Sequence, residues 1–297
     1  MLLDVVLPFY GSFEHLRVAV ESVLSQDDPD WRLIVIDDAY PDIEPYRWAA
    51  AIADPRVQVV RNDENLGITR NFNFGLSMSQ AEHLVIMGAD DVMHPGYVRR
   101  VRELIERFPQ ADLIQPGVEV IDSEGRVSRP LGDRVKSWLR IKGATPLLAA
   151  GEPLAVSLLR GDWLYFPSLV WHREALGAGF RTDVQIVEDI SKIMDVVMAG
   201  GALALDDEIV FSYRRHRESL SMATATDGRR FAEEQMFFAE SAARAEELGW
   251  TRAARTARRH IASRLHALTE VPRALVARDP AGLRALLRHA FAPTPSR

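Results

Sequence analysis

Through the first hundred residues, short apolar runs alternate with helix-patterned segments, and two of the runs end in paired carboxylates. "LDVVLPF" is the first run, and Ser12 after it is placed to cap a helix with Leu16, Val20, Val23 and Leu24 on one face. "RLIVIDD" is the second, apolar from Leu33 to Ile36; "VQVV" is the third and "HLVIM" the fourth. Between them Thr69 opens a helix to about Ser79, and "HPGYVRRVRELIERF" reads as a helix with Pro95 in its first turn. Unbroken apolar strands separated by helices suit a sheet covered on both faces, which predicts an α/β chain with a mostly parallel central sheet. Ligands of such sheets gather at the carboxyl ends of the strands. Pro8-Phe9-Tyr10, Asp37-Asp38 and Asp90-Asp91 all fall there.

The later part is less regular. Residues 123–150 carry few periodic signals and read as a long connection. A helix, an aromatic loop and a strand near Ser168–Trp171 follow, then a helix with Asp189 in its first turn. "LALDDEIVFSYRRH" supplies one or two strands, and after about Asp227 the pattern is helical.

With no cysteine, a disulfide framework and thiolate metal sites are excluded. The start, "MLLDVVLPFYG", has no basic leader, and no run approaches the roughly 18 apolar residues of a membrane span, so the expected location is cytoplasmic. Charge is uneven. From Thr251 onward ten Arg face only Glu270 and Asp279, a balance of +8; the net −6 therefore leaves −14 on the first 250 residues.

Each polar cluster has a bland reading beside a chemical one. Asp37-Asp38 can be a turn or a cap. "RNDENLGITRNFNFG" can be an ordinary capped helix, or an anion site in which Asn65, Gly67, Arg70 and Asn71 surround a helix N-terminus. Asp90-Asp91 is harder to dismiss: two carboxylates at a buried strand end suit Mn²⁺ or Mg²⁺, which take one or two carboxylates and complete their shell with phosphates and water. Glu188-Asp189 can be dipole-favoured first-turn acids. "YRRHRESLS" can be a solvated basic edge, or a cationic flap carrying Arg214 with His216 as a metal ligand.

Taken in order, these elements resemble family 2 glycosyltransferases of the GT-A fold over roughly residues 1–222. "LPFYGS" matches the family's Pro-containing first loop, "VIDDAYPD" its Asp pair, "ENLGITRNFNFG" its Asn-x-Gly segment and "MGADDVMHPGYV" its metal motif. Glu188-Asp189 matches its Glu-Asp at a helix start, and "YRRHRESLS" its closing motif. The chain departs from the pattern at Gly88, where the first carboxylate of Asp-x-Asp is usual, and at Ala39-Tyr40, where Gly-Ser is common.

The resemblance implies a Rossmann-like GT-A domain with a C-terminal helical extension: residues 1–118 bind the nucleotide sugar, 119–222 the acceptor, and 223–297 form the extension. It implies inverting transfer from a nucleoside diphosphate sugar to a carbohydrate or lipid-linked acceptor hydroxyl. Asp189 is then the general base and Glu188 its neighbour in the site. Asp90 holds the metal, with Asp91 and His216 as further ligands, and Ala89 and Arg214 lie at the diphosphate. Pro8, Phe9, Tyr10, Asp37 and Asp38 face the nucleoside. Trp163 and Tyr165 either stack on the acceptor or belong to the core. The alternative to an enzyme is a degenerate GT-A protein that binds nucleotide sugar or scaffolds a glycan pathway.

A sugar-phosphate nucleotidyltransferase would need a Gly-rich basic loop after the first strand, which "LPFYGSFEH" lacks. The Arg-rich tail reads as a basic amphipathic surface that contacts the inner face of a membrane. Its other reading pairs the arginines with the acidic body or leaves them in solvent. Nucleic acid is not an expected partner, since the body is acidic.

Overall fold

The structure, a computed structural model, describes residues 2–215, 229–276 and 278–291. In chain order the first half carries β1 (Leu3–Phe9), α1 (Phe13–Leu24), β2 (Trp31–Asp37), α2 (Glu44–Ala50), β3 (Val57–Arg61), α3 (Ile68–Met78), β4 (His83–Ile86), β5 (Val92–Met93), α4 (Tyr97–Arg107) and β6 (Leu113–Ile121). The second half carries β7 (Val127–Ser128), α5 (Leu131–Leu139), β8 (Leu147–Ala150), α6 (Gly151–Arg160), β9 (Val170–His172), α7 (Arg173–Leu176), α8 (Glu188–Met198) and β10 (Ala202–Arg214). Four helices close the chain: α9 (Arg229–Glu247), α10 (Thr251–Arg259), α11 (Ile261–Val276) and α12 (Pro280–Phe291).

One sheet runs in the order β3-β2-β1-β4-β9-β6-β10-β5, with β7 on β6 and β8 on β10. β1 pairs parallel with β2 and β4, β2 with β3, and β6 with β10. Short β9 is wedged antiparallel between β4 and β6, so the six principal strands still share one direction. The sheet is thus mixed, with a mostly parallel frame. Side chains alternate across it with period two. Val6, Ile34 and Ile36 enter one core with residues of α6, α8, α9 and α10; Leu3, Val5, Leu7, Leu33 and Val35 enter the other with α1 and α4.

Two local features aim the carboxyl edge. Ser12 caps α1 by accepting the His15 N–H, as its sequence position predicts. β10 bulges against β6 between Leu205 and Phe211, and the bulged main chain presses on Gly117, where a Cβ would stand 2.4 Å from the Glu208 carbonyl oxygen. Only glycine fits that approach.

Two expectations are corrected. α4 begins at Tyr97, with Gly96 as its cap, so Pro95 lies before the helix. Residues 123–150 are not a bare connection but carry β7, α5 and β8. Of the one or two strands read from the later run, the structure forms one, "ALALDDEIVFSYR", of 13 residues. Among the described residues no helix is long and apolar enough to cross a membrane. α10 buries Ala253, Ala254 and Ala257 and turns Arg252, Arg255, Arg258 and Arg259 outward; of these, Arg258 pairs with Glu246.

Candidate active site

The in-register pairing of β1 with β2 sets Phe9 beside Asp37, and the Asp38 N–H donates to the Phe9 carbonyl. Phe9 is 1% exposed and belongs to the core, whereas Tyr10 is 55% exposed; Tyr40 meets both rings edge-on. Tyr10 is therefore the open ring of this stretch, and Pro8 is half-buried behind it. Asp37 accepts the Tyr40 N–H at 2.8 Å and pairs with Arg61, whose other guanidinium nitrogen reaches the Tyr40 carbonyl. Asp38 accepts from Asn62 and from the N–H groups of Leu66 and Gly67. Both carboxylates are buried, and they shape the floor of the site by pinning the turn at 38–40 and the entry to α3.

That entry carries the rest of the Asn-x-Gly segment. Asn65 caps the turn by accepting the Gly67 N–H at 2.9 Å. Asn71 is buried and accepts from Asn62, so β2, β3 and α3 share one amide network. Arg70 is exposed in the first turn of α3. Asn73, which the sequence reading passed over, clamps the Phe180 main chain through both its donor and its acceptor, at 2.8 and 2.7 Å.

Thr69 links this half to α8, for its hydroxyl donates to the Glu188 carboxylate. The two helix N-termini thereby meet across 119 residues of sequence. Glu188 is buried, and burial pushes its carboxyl up to about 7, against the Thr69 hydrogen bond, with Asp189 adding to the rise. Asp189 is half-buried and is raised to about 6, first by burial and then by the Asp162 charge.

A stability consequence follows for Glu188. Its folded pKa lies above the ordinary 4.5, so the native state holds the proton that the unfolded chain releases. Stability therefore falls as pH rises from about 4.5 to about 7. Glu188→Gln keeps an acceptor for Thr69 and cannot ionise. It should exceed the parent in urea midpoint above about pH 7 and match it below about pH 4.5. Equal midpoints throughout would contradict a buried, proton-holding Glu188.

β4 delivers the loop 88–91. Asp91 is 1% exposed; its Oδ1 accepts the Arg214 N–H at 2.8 Å, while its Oδ2 has no hydrogen-bond partner. Burial, then the Asp90 charge, push the Asp91 carboxyl well above the usual carboxylate range. A Cβ at Gly88 would stand 2.4 Å from Asp91 Oδ2 and 2.9 Å from Asp90 Oδ1. The two carboxylates thus fold over residue 88, into the space that a side chain there would claim. Asp90 and Ala89 are half-buried.

Arg214 is buried, and its guanidinium donates to the carbonyls of Asp90, Asp122 and Ser123, so it braces this loop. His216 lies outside the described residues, as does the remainder of its motif. Among the described residues no group of three metal-binding side chains occurs. The pair Asp90 and Asp91, with one buried oxygen lacking a hydrogen bond, fits a divalent ion that draws its other ligands from phosphates and water.

The aromatic loop divides. Trp163 is 3% exposed, lies in the main core and donates its indole N–H to Ser157, so the core reading holds for it. Tyr165 is half-buried; its hydroxyl donates to Asp133 at 3.0 Å, and its ring lies beside Tyr213 and under the Lys136 ammonium. Asp133 also binds Arg215. Tyr213 connects this group to the strand-end acids: burial, then the Asp91 carboxylate, push its hydroxyl up to about 12. Lys136 stands 4.0 Å from Asp162, whose charge reaches Asp189. Tyr165 and Lys136 also border a cavity of about 250 Å³ with Gln115, Arg140 and Asp207. Asp133, Lys136 and Asp162 carry no signal in the sequence reading, where Thr69 stands only as a helix start and Arg215 only as part of a basic cluster. Only α5, had it been recognised, would have pointed to two of them.

Comparison with known proteins gives a concordant picture. Residues 4–158 match the family described as "Glycosyl transferase family 2". "Succinoglycan biosynthesis protein ExoO" of Rhizobium meliloti is 25% identical over 226 residues, covering 75% of this chain; the chain spans 63% of that relative's length. Among solved structures, S. aureus TarS 1-349 in complex with UDP superposes with a TM-score of 0.64 at 16% identity, over 97% of this chain and 81% of that one. The mannosyltransferase PcManGT of Pyrobaculum calidifontis, in complex with GDP-Man and Mn2+, gives 0.56 at 17% identity, over 97% and 85%. These likenesses show the fold, which is GT-A.

Proposed function

The chain belongs to glycosyl transferase family 2, and we propose that it moves a sugar from a nucleoside diphosphate sugar to an acceptor hydroxyl, inverting the anomeric centre. One observation carries this reading. Paired acids follow β2 and β4 and open α8, and the α3 N-terminus ties the first pair to the last, with the Gly67 N–H donating to Asp38 and the Thr69 hydroxyl to Glu188. The UDP bound by TarS and the GDP-Man bound by PcManGT support the donor class. The part that ExoO has in succinoglycan biosynthesis supports a glycan acceptor.

We assign residues 1–118 to the donor, 119–222 to the acceptor and 223–297 to a helical extension. The donor's base and ribose lie against Tyr10 and Tyr40, over the floor set by Asp37 and Asp38. Arg70 and the N–H groups opening α3 face the diphosphate, where a helix N-terminus favours an anion. Asp189 takes the acceptor hydroxyl proton as that oxygen attacks the anomeric carbon and the carbon–oxygen bond to the diphosphate breaks. Single displacement inverts the centre. Glu188, fixed by Thr69 and raised to about 7, places less than a full negative charge beside Asp189 at neutral pH. Asp90 and Asp91 would hold Mn²⁺ or Mg²⁺, which stabilises charge on the leaving diphosphate.

A thermal-shift panel of UDP, GDP, dTDP and their sugars, with Mn²⁺ and with chelator, tests this. One nucleotide should raise Tm by several degrees, since ligand at about 100 times Kd adds about 2.7 kcal/mol. Chelator should remove most of the rise. No shift with any nucleotide would overturn the donor class, and a chelator-insensitive shift would overturn the metal.

A further inference from the structure

We propose that the exposed apolar stripe of α5, continued along α11, docks on an anionic lipid surface and holds the neighbouring acceptor site against it. Leu131, Val135 and Trp138 lie at i, i+4 and i+7 of α5 and are 74%, 45% and 76% exposed. This is the reverse of an ordinary surface helix, whose apolar side faces the core. The inward side of α5 carries Asp133, bonded to Tyr165, and Lys136, bonded to the Leu164 carbonyl.

The stripe does not stop at α5. A Cβ at Gly161 would meet Leu139 Cδ1 at 2.6 Å and Ala262 Cβ at 4.0 Å, so the end of α5 adjoins the start of α11. There Ile261 and Leu265 are 58% and 57% exposed, one turn apart, and Pro272 and Leu275 continue the same face. Arg134, Arg160 and Arg259 flank the patch, are exposed, and have no carboxylate partner among the described residues. Glu270 of α11 is occupied by His266 and Arg273.

Charge selects the occupant. A second copy meeting this one about a two-fold axis at the patch would set Arg134, Arg160 and Arg259 of one copy against the same three of the other, a repulsive contact. An anionic bilayer interface complements the arginines and accepts the apolar side chains, Trp138 among them. The acceptor that such a site would meet is lipid-linked; this last step rests on the proposed transfer reaction, whereas the docking does not.

Co-sedimentation of the full chain with vesicles tests the docking without any sugar transfer. The chain should bind vesicles of phosphatidylcholine mixed with phosphatidylglycerol far better than phosphatidylcholine alone, and added salt should weaken the binding. Leu131→Ser, Val135→Ser and Trp138→Ser together should weaken it on the order of a hundredfold. Ile261→Ser with Leu265→Ser should weaken it roughly tenfold or more. Arg134→Gln with Arg259→Gln should cost roughly tenfold, and only on anionic vesicles. Every changed side chain is exposed, and an unaltered Tm confirms that each variant folds. Parental binding that is absent, or that survives in all three variants, overturns the proposal. So does a concentration-dependent dimer that the same variants abolish. Docking with no nucleotide-induced Tm shift would instead leave the lipid surface standing and remove the transferase reading.

Discussion

Asp189→Asn is expected to lower turnover about a thousandfold, within the 10²- to 10⁴-fold range of a lost general base, while nucleotide affinity stays within about twofold. The choice between the adjacent acids comes from their surroundings. Glu188 is buried, tied to Thr69 and raised to about 7, so at neutral pH about half of it is protonated and its carboxyl is already engaged. Asp189 is half-buried and raised to about 6, so it is ionised at neutral pH yet basic enough to accept a proton as the acceptor oxygen attacks. Its hydrogen bonds come from main-chain N–H groups of its own helix turn, which hold the carboxylate without neutralising it. The parent's turnover should accordingly fall as pH drops through about 6, because protonation removes the base. The Asn variant should lack that acid limb. Calorimetry with the nucleotide and turnover with a competent acceptor separate binding from chemistry. Equal loss of both, or a surviving acid limb in the variant, would sink the assignment.

How much of this was legible in the sequence depends on how local each signal is. β1, β2, β3 and β4 could be read because each is a short apolar run with a polar end, and their parallel pairing follows from the helices between them. α5 could not. Its apolar positions Leu131, Val135 and Trp138 face outward and its inward side is polar, so no core-facing pattern marks it. Asp37 and Asp38 stand out as acids at a strand end, but the partners that hold them, Arg61, Asn62, Leu66 and Gly67, lie 24 to 29 residues away and carry no local signal. The bracing role of Arg214 is hidden for the same reason, since the carbonyls it holds belong to loops 91 to 124 residues earlier. Trp163 shows the limit from the other side: an aromatic beside glycine suits a sugar platform or a core, and only burial decides.

Gly88→Asp, which restores the carboxylate usual in the family's metal motif, is expected to weaken metal-dependent nucleotide binding about tenfold or more rather than strengthen it. The reason is occupancy. The position where a side chain at residue 88 would start lies 2.4 Å from Asp91 Oδ2 and 2.9 Å from Asp90 Oδ1, both inside contact distance. Adding a carboxylate forces Asp91 out of its buried seat, breaks its hydrogen bond with the Arg214 N–H, and sets three negative groups together. The absence of an acid at 88 is therefore no sign of a degenerate site, because the Asp91 carboxylate stands in the same space. This makes the effect of residue 88 conditional on residue 91. Asp91→Ser clears the space and leaves a hydroxyl that can accept from Arg214. The double variant Gly88→Asp with Asp91→Ser should recover binding that each single variant loses, a coupling well beyond additivity. Titration calorimetry of the nucleotide with and without Mn²⁺ reads this directly, and Tm reports whether each variant folds. Tighter binding by Gly88→Asp alone, or additive losses in the pair, would mean that Asp91 does not fill the place of the missing carboxylate.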